Sequence, residues 1–202
     1  MRVAEVDVVC LGIVVADVVV RPIDAQPQSG TLTLADSVVL RAGGSALSTA
    51  SVLARLGLRS AVLGKTGADA FGDFLVRVVA ERDVDGSGIV QDPAVPTSAS
   101  VVLVDSKGER TFLHTIGANG AVRAGELGDA PFRGRALHIA GALVLEELDG
   151  DLGGGVSWQR FIARLVAHGP VSEFVPGSIL QTAPTDYTIL GGVADDVEIH
   201  MA

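Results

Sequence analysis

Residues 42–57 read Ala-Gly-Gly-Ser-Ala-Leu-Ser-Thr-Ala-Ser-Val-Leu-Ala-Arg-Leu-Gly, and residues 64–72 read Gly-Lys-Thr-Gly-Ala-Asp-Ala-Phe-Gly. The first stretch opens on Gly43-Gly44, a pair with backbone freedom that no side chain allows, and continues as a helix of small residues. That helix carries Leu47, Leu53 and Leu56 among alanines, and Gly57 stands where a left-handed C-terminal cap belongs. Its first-turn amides point toward whatever occupies the cleft above them, and small residues there let a polar ligand approach the backbone. Taken alone, the same stretch also describes a tightly packed corner of any α/β fold.

Outward from this segment the chain alternates strand and helix signals. Residues 6–15 form a near-continuous β-branched run, expected of a buried central strand. Residues 31–40 begin with period-two alternation, and residues 60–64 make a short core strand. The spacing of Phe71, Phe74, Leu75, Val78 and Val79 predicts a helix over 70–82 with Asp69 as its N-cap. Residues 99–104 and 110–116 flank Asp105-Ser-Lys-Gly-Glu109, a hairpin signal, and residues 136–140 read as another core strand. After Leu148 the character changes. Residues 149–155 are Asp-Gly-Asp-Leu-Gly-Gly-Gly, one amphipathic segment follows over 158–167, and the rest is weakly patterned.

At 202 residues and 48% hydrophobic, the chain has the material for one sizeable core. A net charge of −9, with Lys65 and Lys107 the only lysines, argues against a nucleic-acid backbone as partner. Cys10 is the sole cysteine, so no disulfide forms within the chain, and its place in an apolar strand suits a core thiol. The apolar run at residues 8–16 is shorter than the ~20 residues a bilayer requires, and Asp17 breaks it. Glu5 and Asp7 interrupt the place where a signal peptide would need apolar residues. These features give the expectation of a cytoplasmic protein without a membrane partner.

The serial order of these features resembles the N-terminal part of the ribokinase/PfkB family of carbohydrate kinases, over about residues 8–148. The resemblance rests on the Gly43-Gly44 helix, the segment 64–72, the paired strand signals of residues 97–116 and Gly117-Ala-Asn119. It implies an α/β fold: an open ribokinase-like sheet with flanking helices and a small β lid, the C-terminal half of the family fold being missing. The lid would come from segments 17–40 and 97–116, the sugar-binding core from residues 1–148, with 149–202 an unmatched tail, divergent or frame-shifted. Family chemistry would be transfer of a phosphate from ATP, with magnesium, to a hydroxyl of a sugar or nucleoside. A homodimer through the lid is a further implication.

The site residues follow from this resemblance, each with a bland alternative. Asp17, read as lying at the carboxyl end of the first strand, would accept hydrogen bonds from two sugar hydroxyls, or else cap a turn. Gly43 and Gly44 would let the sugar meet the backbone. Ser48 stands where the family pattern Gly-Gly-x-x-x-Asn has asparagine, and a hydroxyl reaches less far and makes fewer bonds than an amide; otherwise Ser48 serves helix packing. Asn119, the only asparagine of the chain, would lie near the sugar or serve a turn.

No catalytic or metal-binding residue is assigned. Residues 65–71 superficially resemble the family's Asp-Thr-x-Gly-Ala-Gly-Asp segment but lack its first Asp and the glycine before the second. They follow the first helix-strand unit, where the family has a structural turn. Gly64, Gly67 and Gly72 are therefore read as structural. Nor does the chain contain the Asn-x-x-Glu motif, and His114, His138, His168 and His200 have no metal-ligand spacing. The ATP and magnesium sites implied by the family are accordingly not located in this chain. Three readings stand: a carbohydrate kinase with weak or no activity as this chain; an inert sugar-binding or dimerising module; and the remnant of a broken gene.

Overall fold

The β-branched run that opens the chain breaks in two. A computed structural model describes residues 6–127, 130, 133–141, 145, 173–175 and 198–201. In it the strand expected over residues 6–15 is β1 (Val6–Gly12), then a corner, then β2 (Val15–Arg21). The corner is held from far along the chain. The Val14 amide donates to Asn119 Oδ1 at 3.0 Å, and Asn119 Nδ2 donates to the Val14 carbonyl oxygen at 3.1 Å. A side chain thus takes the two groups that a continuing strand would pair with its neighbour, and β2 leaves the core sheet.

The core sheet is six-stranded and parallel throughout, in the order β5-β4-β1-β8-β10-β9. Its further strands are β4 (Ser60–Gly67), β5 (Asp85–Asp92), β8 (Gly134–Ala140), β9 (Glu173–Val175) and β10 (Glu198–Met201). Two of these come from beyond Leu148, so the sheet draws on both sides of the boundary expected there. The amphipathic segment at 158–167 lies outside the described residues. Strand β5 carries no apolar alternation in its first half, Asp85-Gly-Ser-Gly, which hid it from a periodicity reading.

Helix α1 (Ser45–Arg55) lies on one face of this sheet. Leu47 and Ala50 of α1 join Cys10, Val14 and Val62 in one buried cluster, to which Leu75 and Val79 of α2 (Ala70–Glu81) also belong. Leu56, counted with the helix in the sequence, is its C-cap and stands in solvent. On the other face, Val9, Leu11, Leu63, Leu137 and Ile139 pack with Val122 and with Leu127 of the short α3 (Ala124–Leu127). Cys10 is fully buried, and burial pushes its thiol up to about 12, which leaves it inert as a nucleophile.

A second, four-stranded sheet stands beside the core: β3 (Ser37–Gly43), β2, β6 (Ala99–Val104) and β7 (Arg110–Thr115), in the order β3-β2-β6-β7. This is the lid expected from segments 17–40 and 97–116, with its first strand beginning at Val15 and its second ending at Gly43. The alternating stretch at residues 31–36 is not a strand. Leu32 and Leu34 are 87% and 83% exposed, and without a neighbouring strand their alternation has nothing to pack on. Among the described residues no helix is long and apolar enough to cross a membrane.

Candidate functional site: the junction of lid and core

Strand β3 runs from the lid directly into α1, and the junction is Gly43-Gly44. Gly44 is the N-cap of α1 at φ 90°, a left-handed conformation, and a Cβ there would lie 2.3 Å from the Ile13 carbonyl oxygen. At Gly43 a Cβ would lie 2.3 Å from Asp17 Oδ2. The Asp17 carboxylate therefore rests directly over the backbone at the head of α1, in space that only glycine leaves open.

Asp17 does not sit at the end of β1, as the sequence reading had it. It is the third residue of β2, in the lid, because the chain turns at residues 13–14. There it is half-buried, with Arg41 opposite it on β3 and Ser100 opposite it on β6. A half-buried carboxylate has the lone pairs to accept two hydroxyls at once.

The N-terminus of α1 faces the same junction. No side chain caps it and its first turn holds no acidic residue, so among the described residues its first amides and the positive end of the helix dipole have no side-chain partner. The Ser45 hydroxyl, in this first turn, is buried and has no hydrogen-bond partner among the described residues. Ser48 lies one turn further on, and its side chain is exposed. Thus Asp17, Gly43 and Gly44 meet at one point, with Ser48 on the next turn of the helix that leaves it.

Asn119 is set apart from this group. It closes a one-turn 3-10 helix (Gly117–Asn119) and is buried. Its amide is engaged by Val14, and its own N–H donates to Ser98 Oγ at 3.0 Å. The Ser98 hydroxyl in turn donates to the Ile116 carbonyl. Asn119 thus fixes the corner from which β2 carries Asp17 outward. Sequence reading missed Ser98 because its role depends on two segments about twenty residues apart.

Asp69 is a cap, as its position suggested. Its carboxylate accepts from the Gly72 amide at 2.9 Å, from the Thr97 amide at 2.9 Å and from the Thr97 hydroxyl at 2.6 Å. Burial alone would raise its pKa, but these bonds from Thr97 and the first turn of α2 outweigh it and hold the carboxyl below its ordinary value. The pattern at 64–72 is therefore a turn that ties α2 to the entry of β6. Nearby, Lys65 is buried and pairs with Asp92 at 3.3 Å and Glu126 at 2.8 Å, a tie that sequence spacing gave no sign of. Among the described residues no group of three His, Cys, Asp or Glu could hold a metal ion.

Comparison with known proteins bears on this arrangement. The model of the pfkB family carbohydrate kinases matches residues 6–164, sixteen residues past Leu148. Probable fructokinase-6, chloroplastic, of Arabidopsis thaliana is 34% identical over 108 residues, which are 52% of this chain and 26% of that protein. Probable fructokinase-2 of the same plant is 38% identical over 93 residues, covering 45% of this chain and 28% of its own length. Among solved structures, the fructokinase from Xylella fastidiosa superposes with a TM-score of 0.63 at 26% identity, over 82% of this chain and 48% of that one. An Arabidopsis thaliana ribokinase complexed with ribose and ATP gives a TM-score of 0.60 at 22% identity, over 67% and 45% of the two chains, and so shares the fold. The matched region thus spans about a quarter of the curated relatives and about half of these structures. With a family match across most of its length and a lid-and-core fold shared with these kinases, the chain belongs to the pfkB family of carbohydrate kinases.

Proposed function

We propose that this polypeptide carries the sugar-reading portion of an ATP-dependent carbohydrate kinase and, as the chain stands, binds its sugar without phosphorylating it. The observation that carries this reading is the Asp17 carboxylate poised over Gly43 at the uncapped head of α1. There Asp17 accepts hydrogen bonds from two sugar hydroxyls, while Gly43 and Gly44 let the ring come down to the backbone. Ser48 adds a hydroxyl from the next turn, and Asn119 acts by holding the corner. The fructokinases among the relatives support a ketohexose as the first sugar to try.

Phosphoryl transfer needs a base for the acceptor hydroxyl and fixed dipoles around the moving phosphate. In the family that work belongs to a Gly-Ala-Gly-Asp segment, and the sequence holds none. ATP and magnesium therefore belong to the whole kinase reaction, and no step through them is assigned to residues of this chain. The test is purified polypeptide with ATP, magnesium and a sugar panel. ADP release should equal the enzyme-free control, and sugar-dependent ADP that copurifies with the polypeptide would overturn the inactive reading. A cytoplasmic setting is part of the same proposal.

A second reading, a dimerising module, is favoured by one feature. Among the described residues the outer edges of β3 and β7 of the lid have no partner strand, and Val38, Phe112 and Leu113 on them are exposed. In this reading the lid pairs with a second copy of the chain, and the mass in solution tests it.

A further inference from the structure

One backbone carbonyl beside Gly43 is held by a side chain from the core. The Ala16 amide donates to the Ser98 carbonyl oxygen at 3.0 Å, so Ala16 turns its backbone groups toward β6. Ala42 lies opposite Ala16 in the antiparallel β2–β3 ladder and therefore turns its own N–H and C=O to the outer edge of β3. Among the described residues no strand lies along that edge. The Ala42 carbonyl oxygen accepts instead from Arg82 Nη2 at 3.4 Å. The other terminal nitrogen of the same guanidinium, Nη1, donates to Ser51 Oγ at 3.0 Å. Ser51 is buried on α1, and its hydroxyl gives its one proton to the Leu47 carbonyl oxygen at 2.6 Å. Toward Arg82 it can only accept.

The two acceptors stand on either side of Gly43-Gly44, Ala42 just before the pair and Ser51 beyond it on the helix. Two successive glycines give this connection little torsional resistance of its own, so contacts from outside set where β3 stands against α1. Arg82 is suited to set it. The residue is the C-cap of α2, and its amide donates to the Val78 and Val79 carbonyl oxygens at 3.1 and 3.2 Å. Asp83 then turns at φ 56°, and the buried Val84 donates its amide back to the Val79 carbonyl oxygen at 3.2 Å. The base of the side chain is thus fixed to the core, and its half-buried guanidinium is a planar fork that holds two acceptors at one separation. The β2–β3 ladder carries that placement onward. Arg41, next to Ala42, lies opposite Asp17, whose carboxylate rests over Gly43.

We infer that Arg82 is a positioning residue for the sugar site, holding Asp17 and the head of α1 at their working separation through Ala42 and Ser51. This rests on the sugar-site reading above and adds to it a residue that acts from the far end of α2. Preorganisation of this kind strengthens binding because the ligand does not have to order the two halves of its site.

The experiment compares the full chain with Arg82→Met, which keeps the stem and loses the fork, and with Arg82→Lys, which offers a single ammonium. NMR gives the amide shifts of Asp17, Gly43 and Gly44 in the ligand-free protein and their midpoint on titration with D-fructose; calorimetry gives the thermal midpoint. Arg82→Met should move the ligand-free shifts and raise the fructose midpoint about tenfold, the scale of lost bonds from a charged group. A lysine serves one acceptor at a time, so Arg82→Lys should fall between, about threefold from wild type. Should Arg82→Met fail to fold, Ser51→Ala removes one arm alone and should move both readouts the same way by less; both equal to wild type would overturn the inference. Ligand-free shifts unchanged in a folded Arg82→Met would overturn the tie whatever the sugar does. A lowered thermal midpoint with the fructose midpoint of wild type would overturn the positioning role and leave the sugar site standing. Silence of the wild-type chain toward D-fructose would remove the sugar site, and the positioning role with it.

Discussion

Asn119 meets Val14 with both ends of its amide, and truncating it leaves two backbone groups stranded in a buried corner. Each such group costs about 1–3 kcal/mol, so Asn119→Ala should lower the denaturation midpoint clearly, and Asn119→Asp, which loses the donor, should do so as well. Urea unfolding followed by circular dichroism measures this, and a midpoint unchanged by Asn119→Ala would contradict the clamp. Asn119 shows where sequence reading stops. Gly-Ala-Asn was visible as a motif, but its partner lies 105 residues away, and no local pattern reports a hydrogen bond of that span. Asp17 was misplaced as a position, because the break at residues 13–14 has that same distant cause. Asp69, by contrast, was legible: its bond to Gly72 spans three residues, and caps are local.

Among the elements, α2 depends on Asp69 for its start. A carboxyl whose pKa is lowered by folding contributes stability that is present above its unfolded value and lost as pH falls through the folded one. The advantage of wild type over Asp69→Ala should therefore be full near neutrality, about 1 kcal/mol or more, and should shrink as pH drops below the ordinary aspartate value of 3.8. An advantage that persists undiminished at pH 2 would contradict the capping role. Lys65 presents the opposite case. Its partners Asp92 and Glu126 remain 26% and 33% exposed, so water can take them back when the ammonium is gone. Lys65→Met should then stay within about 1 kcal/mol of wild type, since a buried ion pair returns little beyond its desolvation cost. Loss of several kcal/mol in thermal unfolding would show the tie to be more than that. The lid makes a third test at this scale. With the outer edges of β3 and β7 unpaired among the described residues, light scattering at rising concentration should show self-association, and a strictly monomeric mass would argue against pairing through the lid.

For the molecule as a whole, the division into a parallel core and a separate lid was readable from residues 42–72 and the hairpin at 99–115, where short-range pattern and turn chemistry agree. The tail was not, because β9 and β10 are short strands added to the sheet by long connections, with no periodicity of their own. At this scale the proposal is that Asp17 and the head of α1 hold a sugar. Titrating the full chain with D-fructose, D-ribose and adenosine, while following backbone amide shifts, tests it most directly. Binding should be weak, roughly millimolar, with shifts centred on Gly43 and Gly44. Ser48→Asn should strengthen binding by restoring the longer, two-ended amide, and Asp17→Ala should abolish it, a loss of about 1.5–3 kcal/mol. Absence of shifts around Gly43 and Gly44, in wild type and in Ser48→Asn alike, would contradict it.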